Sequence, residues 1–297
     1  MAQAQASREP VVVLGLGAMG RALAAGVVRA GIPTVVWNRE PAVAGDLVEL
    51  GAQVAQSAGD AARRAGIVVT MVPDADAVMS VAREQGMLAG LVPEAVWVQM
   101  STVGVAGIER VAAMVAAERP DVTLVDAPVA GGREPAQRGE LTVFGSGPDW
   151  VRARLAALFD AVGGRTVWVG PVGSASRVKL LHSAWVAFAA EAVATSVALA
   201  HRWGLDTRAV ADAVADGSLV SPWPAARLER IAGGEFSAQV PLGLALHEVR
   251  LALQADGGDR FAALTGLAEE WQRAADEGLA DQDLTVVTRA LEQQPTR

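Results

Sequence analysis

Lys179 is the only lysine in this chain, and the other basic residues among its 25 Lys and Arg are all arginines. A guanidinium keeps its proton at any working pH, whereas a pocket can move the pKa of an ammonium group. A lysine kept at one position can therefore serve as a general acid or base there. Drift of lysine to arginine, with one surface survivor, is the alternative. The residue follows a Gly-rich turn at 170–173 and begins a long apolar helical pattern.

A glycine-rich motif near the N-terminus predicts a dinucleotide site. The motif Gly15-Leu-Gly17-Ala-Met-Gly20 follows an apolar strand at 11–14 and precedes a helical stretch at 21–30. A strand, G-x-G-x-x-G and a helix in this order form the dinucleotide-binding fingerprint. Gly15 makes the tight turn, Gly17 lets pyrophosphate approach the backbone, and Gly20 permits close packing of helix on strand. The N–H groups at the helix N-terminus would then hold the phosphates.

The end of the second strand, at 34–37, favours NADPH over NADH. An acidic residue there would bind the ribose 2′-hydroxyl of NAD, but this chain has Asn38 followed by Arg39. Asn38 does not repel a phosphate, and a guanidinium can bind one with two hydrogen bonds. Two alternatives stay open: Glu40 could reach a 2′-hydroxyl, and Arg39 could be a solvated loop charge.

Further apolar runs predict a parallel sheet buried on both faces. In such sheets ligands bind beyond the carboxyl ends of the strands. Polar or glycine residues follow three of the runs, at 72–74, 101–102 and 126–132, and we expect them at that edge. The runs lie at 66–72, 95–98, 123–125, 141–144 and 166–169.

The second half of the chain reads as helices. A nearly unbroken pattern runs from 174 to about 203, longer than one small domain needs, so part of it is expected to contact a partner subunit. A homodimer or homotetramer is the predicted assembly. The predicted domains are residues 1–170 and 171–297. The helical pattern is expected to break around Trp223, at Pro222 and Pro224. Shorter helices are predicted at 207–216, 240–256, 260–277 and 281–291.

Composition excludes several classes of function. A net charge of −8 and a pI near 5.0 argue against nucleic-acid binding. No uninterrupted apolar run reaches the length of a membrane helix, and the N-terminus does not resemble a signal peptide, so the cytoplasm is expected. The chain has no cysteine and no tyrosine, which excludes thiolate chemistry and a Tyr/Lys dehydrogenase pair. The histidine and acid spacing predicts no metal site.

The chain resembles the β-hydroxyacid dehydrogenase family, whose members include 3-hydroxyisobutyrate dehydrogenases and glyoxylate or succinic-semialdehyde reductases. The resemblance spans nearly the whole length and rests on the glycine motif, Trp37-Asn-Arg39, Ser101-Thr-Val103, Asp126-Ala-Pro-Val-Ala-Gly-Gly132, and the segment 170–179. It implies a Rossmann-like N-terminal domain, an all-α C-terminal domain, a long interdomain helix and an active-site cleft between the domains. The implied reaction is reversible hydride transfer between NAD(P) and a β-hydroxyacid or its carbonyl partner.

The resemblance also implies roles for individual residues. Lys179 would give a proton to the carbonyl oxygen during reduction and take it back during oxidation. Ser101 and Thr102 would lie beside nicotinamide and substrate, and Gly131 and Gly132 would present N–H groups to a substrate carboxylate. The predicted cofactor contacts are Gly15, Leu16, Gly17, Ala18, Met19, Gly20, Asn38, Arg39, Val72, Pro73, Asp74, Ser101 and Thr102.

Several positions depart from the family pattern. Ala130 replaces a serine before the paired glycines, Ser183 replaces an asparagine one turn after the lysine, and His247-Glu248 replaces a Lys-Asp pair. Each change makes the pocket less suited to a small charged acid. The candidates for the catalytic set are Lys179, His182, Ser183 and His247, and those for the substrate pocket are Ser101, Ala130, Gly131, Gly132, Trp185 and Trp223.

The sequence is compatible with three functions. The leading hypothesis is an NADPH-dependent reductase of carbonyl compounds that uses Lys179 as general acid. The second is an imine reductase, since that class shares the two-domain plan and the departures remove groups suited to an acid. The retained lysine weighs against it, because a cation repels an iminium. The third is a nucleotide-binding protein with little catalysis, which the His247-Glu248 change favours.

Overall fold

The computed structural model describes residues 9–215, 221–257 and 260–293. The chain divides into two compact units, Met1–Lys179 and Leu180–Arg297. The first is an α/β unit around a parallel sheet, and the second consists of helices. This confirms the fold class predicted from the sequence.

Six short strands pair in parallel at the centre of the first unit. Their order across the sheet is third, second, first, fourth, fifth and sixth, so the order reverses beside the first strand. In open α/β sheets, ligands bind at the carboxyl edge near such a reversal. The strands are β1 (Val11–Leu14), β2 (Thr34–Trp37), β3 (Gln53–Val54), β4 (Ile67–Thr70), β5 (Val96–Gln99) and β6 (Thr123–Asp126).

Apolar side chains cover both faces of this sheet. Val11 and Val13 of β1 belong to the core on one face, and Val12 and Leu14 belong to the core on the other. Successive side chains of a strand point to opposite faces, so an unbroken apolar run is what a doubly covered strand requires. The continuous runs in the sequence carried this information, and the prediction of a doubly covered sheet is confirmed.

The first six helices connect these six strands, and two more follow later in the same unit. The helix after β1 begins at Ala18, three residues earlier than the sequence pattern suggested. The helices are α1 (Ala18–Arg29), α2 (Gly45–Glu49), α3 (Ala58–Ala62), α4 (Ala75–Arg83), α5 (Met87–Gly90), α6 (Gly104–Glu118), α7 (Arg133–Arg138) and α8 (Val151–Val162), with a 3-10 turn at Pro41–Ala44.

A second, three-stranded sheet follows in the same unit. It contains β7 (Val129–Ala130), β8 (Leu141–Gly145) and β9 (Gly163–Trp168), with β8 in the middle. The pair β7–β8 is antiparallel and the pair β8–β9 is parallel. Strands at 141–144 and 166–169 were predicted, but their assignment to the parallel sheet is wrong, because apolar runs do not specify which strands pair. Strand β7 is too short to show periodicity.

One long helix and several shorter ones follow the second sheet. The long helix, α9 (Ser174–Arg202), has 29 residues, close to the predicted span. The predicted helix at 207–216 ends at 215 among the described residues, and residue 216 lies outside them. The others are α10 (Thr207–Ala215), α11 (Pro222–Ala232), α12 (Leu242–Ala255), α13 (Ala262–Ala274) and α14 (Val287–Gln293), with a π-helical turn at Ala275–Leu279 and a 3-10 turn at Leu284–Val286.

The prolines at 222 and 224 open a helix, so the prediction of an irregular break there is wrong. Pro222 is the first residue of α11, after Ser221 in an extended conformation. A proline at the first helical position costs no hydrogen bond, because its missing N–H would have had no partner in the helix. The sequence pattern Ser-Pro before a run of helix-forming residues is itself a helix start signal.

Among the described helices, α9 is long and apolar enough to cross a membrane by length and composition. Its most apolar 18-residue window has a mean hydropathy of 1.5, and 44% of that window is buried. Long core helices of globular proteins have the same properties, so this feature does not by itself indicate a membrane span.

Candidate functional site

Three glycines shape the loop between β1 and α1, each for a different steric reason. Gly15 has a positive φ of 94°, and a Cβ there would lie 2.3 Å from the carbonyl oxygen of Met71. A Cβ on Gly20 would lie 2.0 Å from the carbonyl oxygen of Gly15, so α1 packs directly on the turn. Gly17 has no atom within 4 Å of the Cβ position. The first and third glycines are thus needed for the turn, and the second leaves open space beside the helix N-terminus.

This open space fits the pyrophosphate of a dinucleotide. Gly17 caps α1 in an extended conformation, and no acidic residue lies in the first turn of the helix. The positive end of the helix dipole and the first N–H groups are then available to an anion. Gly17, Ala18 and Met19 are the residues whose backbone would hold the phosphates.

Asn38 links the ends of the first two strands. Its Oδ1 accepts a hydrogen bond of 3.0 Å from the backbone N–H of Leu16, and its Nδ2 donates to the carbonyl oxygen of Glu40 at 3.3 Å. Asn38 therefore holds the glycine loop in place and puts an uncharged amide directly after β2. Arg39 is exposed immediately after it, at the carboxyl end of β2 where a nucleotide ribose would bind.

Ser101 is a fully buried connection between the loops that follow β4 and β5. Its Oγ accepts a hydrogen bond of 2.8 Å from the N–H of Val72. The side-chain amide of Gln99 pairs with both backbone groups of Ser101, accepting from its N–H at 2.7 Å and donating to its carbonyl at 2.9 Å. Among the described residues, this hydroxyl accepts one hydrogen bond and donates none, so its proton is available to a ligand.

The remaining predicted residues on this side occupy the same edge of the sheet. Asp74 is exposed and caps α4 by accepting a hydrogen bond of 2.7 Å from the N–H of Ala77. Pro73 is exposed and Thr102 is half-buried. Because β2, β1, β4 and β5 are neighbours in the sheet, the structure brings all the predicted cofactor contacts together at one carboxyl edge.

The segment after β6 carries the predicted substrate glycines. Ala130 is buried and belongs to a small apolar cluster with Phe144 and Ala175, so a methyl group is accommodated there by packing. Gly131 has a φ of 130°, a conformation that favours glycine, and Gly132 caps α7. Their backbone N–H groups remain the candidates for a carboxylate contact.

Lys179 lies in the second turn of α9, and its side chain is only 8% exposed. The start of this helix is held by a buried carboxylate at the end of β6. Asp126 has no exposed surface, and its Oδ2 accepts from the N–H of Ser176 at 2.8 Å. Its Oδ1 accepts from the hydroxyl of Ser176 at 2.8 Å, and Ser146 donates to Oδ2 at 3.2 Å. Lys179 is therefore anchored through its helix to the carboxyl edge of the parallel sheet.

Burial raises the pKa of the Asp126 carboxyl, and the hydrogen bonds from Ser176 and Ser146 offset part of that effect. Asp126 begins the motif at 126–132 that was expected at the sheet edge, but no role was predicted for it. Its signal was a lone acid directly after an apolar strand, a position where an unpaired carboxylate would be costly. Its partners, 20 and 50 residues later in the sequence, show no pattern that links them to it.

The second unit holds the other predicted site residues. Ser183, one turn beyond Lys179 on α9, donates a hydrogen bond of 2.6 Å to Oε2 of Glu248 on α12. His247 is exposed and His182 is half-buried. Trp185 is 78% exposed on α9, and the ring of Trp223 lies under the guanidinium of Arg227 at 4.7 Å. In the sequence, Glu248 was identified only as a departure from the family pattern. In the structure it accepts a hydrogen bond from Ser183.

Two family models match consecutive parts of the chain. Residues 10–170 match the model described as the NAD binding domain of 6-phosphogluconate dehydrogenase. Residues 173–291 match the model described as NAD-binding of NADP-dependent 3-hydroxyisobutyrate dehydrogenase. Together these matches span the glycine loop, the buried serine and the segment that carries Lys179.

Individual proteins are similar over almost the full length. Glyoxylate/succinic semialdehyde reductase 1 from Arabidopsis thaliana is 26% identical, over 94% of this chain and 96% of that protein. A crystal structure of 3-hydroxyisobutyrate dehydrogenase from Salmonella typhimurium is 25% identical with a TM-score of 0.82, over 95% of this chain and 99% of that one. An imine reductase from Pseudomonas sp. is 24% identical with a TM-score of 0.60, over 96% and 99%, which shows a shared fold.

Proposed function

Since this chain belongs to the β-hydroxyacid dehydrogenase family, we propose that it reduces a carbonyl compound of the β-hydroxyacid or semialdehyde type with NADPH, and that Lys179 is the general acid. The chain is a nicotinamide-dependent oxidoreductase. One observation carries the assignment of Lys179. The only lysine is buried on a helix whose first turn is bound to the end of β6, at the edge of the sheet where the glycine loop also lies.

The proposed chemistry needs a proton donor beside the carbonyl oxygen. When bound, the nicotinamide cofactor would supply a hydride to the carbonyl carbon, and the two electrons of the C=O π bond would move to oxygen. The Lys179 ammonium gives its proton to that oxygen, which yields the hydroxyl group and neutral lysine. In oxidation the neutral amine takes the proton back. A positioned cation also stabilises the negative charge that develops on oxygen, which is where electrostatic catalysis has most effect.

Other residues of the first unit would bind the two reactants. The backbone of the glycine loop would hold the pyrophosphate, with Asn38 fixing the loop through Leu16. The nicotinamide side of the cofactor site would be lined by Val72, Pro73, Asp74 and Thr102. Ser101 would donate its remaining hydroxyl proton towards substrate, and the N–H groups of Gly131 and Gly132 would bind a carboxylate.

Replacing Arg39 with alanine is expected to remove the preference for NADPH. The guanidinium would pair with the 2′-phosphate, and losing a hydrogen-bonded charge pair of about 1.5 kcal/mol lowers kcat/KM for NADPH about tenfold. The value for NADH should change less than threefold, because NADH has no phosphate at that position. Initial rates with each cofactor measure this, with the exposed Arg165→Ala as control. Equal losses for both cofactors, or none, would contradict the assignment.

The test of the overall function is a substrate panel. Purified protein is assayed for NADPH oxidation with aldehydes, 2- and 3-ketoacids, semialdehydes and cyclic imines, with matched NADH wells. Turnover of semialdehydes or ketoacids supports the proposal. Turnover of cyclic imines with none of these carbonyl compounds would replace it with the second candidate. Tight NADPH binding with no oxidation on any of them would favour a nucleotide-binding protein with little catalysis.

The second candidate, imine reduction, is favoured by the Ser183–Glu248 hydrogen bond. This bond holds the carboxylate of Glu248, on α12, against Ser183, four residues after Lys179 on α9. A negative charge disfavours a carboxylate substrate and favours an iminium cation. Ser183 is shorter than the asparagine of the family pattern, Glu248 is longer than its aspartate, and the two side chains bind each other. These two departures from the family pattern therefore act together.

We also propose a homodimer or homotetramer formed through an apolar stripe on α9. One side of this helix carries four exposed apolar residues at helical spacing: Leu181, Trp185, Phe188 and Leu199. Contiguous exposed apolar surface of this kind marks protein interfaces. Phe188→Glu should convert the assembly to monomers in analytical ultracentrifugation, whereas Arg165→Glu, an exposed position of the first unit, should not. A wild-type monomer at micromolar concentration would overturn this proposal.

A further inference from the structure

We propose that Asp126 is a positioning residue for Lys179, which together with Ser146 and Ser176 fixes the first turn of α9 and so the location of the ammonium group. This inference rests on the proposed role of Lys179. It concerns residues that would touch neither cofactor nor substrate in that role. The three side chains form one buried cluster at the junction of β6, β8 and α9.

The first turn of α9 has a partner for each of its backbone N–H groups, and two of these partners are side chains. Ser174 donates to the carbonyl of Pro171 at 3.0 Å, within the preceding turn. Ala175 donates to the hydroxyl of Ser146 at 3.1 Å, and Ser176 donates to the carboxylate of Asp126 at 2.8 Å. Helix N-termini usually find such acceptors within a few residues of the chain. Here they come from the ends of two strands, so the helix start is fixed to the sheets.

The side chain of Ser176 strengthens this attachment. Its hydroxyl donates to Oδ1 of Asp126 while its backbone N–H donates to Oδ2, so one residue holds both oxygens of the carboxylate. The carboxylate also faces the positive end of a 29-residue helix, where a negative charge is stabilised. Ala175, whose N–H donates to Ser146, also packs in the apolar cluster with Ala130 and Phe144. Rotation or sliding of the first turn would break all of these contacts.

Lys179 is three residues beyond Ser176, about 4.5 Å further along the helix axis and on a neighbouring face. A change in the first turn is therefore transmitted directly to the Lys179 backbone. Proton transfer requires the donor within hydrogen-bond distance of the oxygen. A misplacement of about 1 Å costs up to about 100-fold in rate. The cluster thus controls a distance to which the proposed reaction is steeply sensitive.

The experiment compares Asp126→Asn, Ser176→Ala and Ser176→Thr with two controls. Asp160→Asn removes an exposed acid from the same unit, and Ser196→Ala removes an exposed hydroxyl from the same helix. Ser176→Thr keeps the hydroxyl and should restore what Ser176→Ala loses. Cofactor affinity, measured by quenching of tryptophan fluorescence, verifies that the glycine loop remains folded in each variant.

The single lysine provides a readout that needs no substrate. Protein grown with lysine labelled with 13C at Cε gives one side-chain NMR signal, from Lys179. Its chemical shift reports the environment of the ammonium group. Asp126→Asn and Ser176→Ala should move this signal, and Ser176→Thr and the two controls should leave it at the wild-type position.

The kinetic expectation separates positioning from stability. With a carbonyl substrate, Asp126→Asn should lower kcat about tenfold and Ser176→Ala about threefold, with cofactor Kd changed less than twofold. Variants that melt at a lower temperature but keep the wild-type lysine signal and kcat would overturn the inference and leave a purely structural role. If Lys179 proves dispensable for turnover while its signal still responds to Asp126→Asn, the proposed function fails and the positioning stands. A wild-type signal in Asp126→Asn excludes positioning whether or not the protein reduces carbonyls.

Discussion

A Lys179→Met variant is expected to lose about 10³-fold in kcat for carbonyl reduction, while its affinity for NADPH stays within twofold of wild type. General acid catalysis contributes about 10²–10⁴-fold, and the chain has no second lysine to substitute. Methionine is similar in length and needs no solvation, so it fills the volume of a side chain that is only 8% exposed. Stopped-flow measurement of NADPH oxidation under single-turnover conditions separates the chemical step from product release.

Two further substitutions distinguish proton donation from charge alone. Lys179→Arg keeps a positive charge but cannot release a proton at a working pH, so it should remain at least about 100-fold impaired. Lys179→Ala leaves space in which an added alkylamine can act as donor, and its rate should rise with amine concentration. Near-wild-type turnover by the methionine variant would remove Lys179 from the mechanism. Full activity of the arginine variant would reduce its role to electrostatics.

The fold could be predicted from the sequence where the signal was local. The strands at Val11–Leu14 and Thr34–Trp37 agree with their predicted limits, because each is an apolar run bounded by a turn residue. Strand β3 was missed, since a two-residue exposed strand has neither length nor apolar character. The assignment of β8 and β9 to a separate sheet is a matter of long-range pairing, which periodicity does not encode.

The candidate site also has parts that could be predicted from the sequence and parts that could not. The glycine loop could be predicted because close backbone contacts require glycine at 15 and 20, and Gly17 leaves the open space proposed for the phosphates. Gln99, Ser146 and Ser176 gave no such signal. A buried amide that pairs with the backbone two residues later, or a serine that binds an acid 50 positions earlier, looks in sequence like any other polar residue. The residues that hold the reactive groups in place could not be predicted from the sequence, because they are defined by contacts across the fold.

Gly17→Ala is expected to weaken NADPH binding about 30-fold while the protein keeps its stability. No atom lies within 4 Å of the added Cβ, and the φ of Gly17 is −63°, which alanine adopts readily. The free energy of unfolding should therefore change by less than about 1 kcal/mol. In the complex, however, the methyl group would occupy the space proposed for pyrophosphate. Overpacking of about 2 kcal/mol corresponds to the expected rise in Kd.

Gly45→Ala is the matched control, because Gly45 also has open space at its Cβ position and a negative φ, of −53°. It lies at the start of α2, away from the glycine loop in sequence, and should change neither binding nor stability. Gly15→Ala should differ from Gly17→Ala in its effect on stability. Its Cβ would meet the Met71 carbonyl, so the melting temperature should fall together with cofactor affinity. Fluorescence titration with NADPH and thermal melts without it separate the two cases. Unchanged affinity in Gly17→Ala would show that the phosphates bind elsewhere than at the N-terminus of α1.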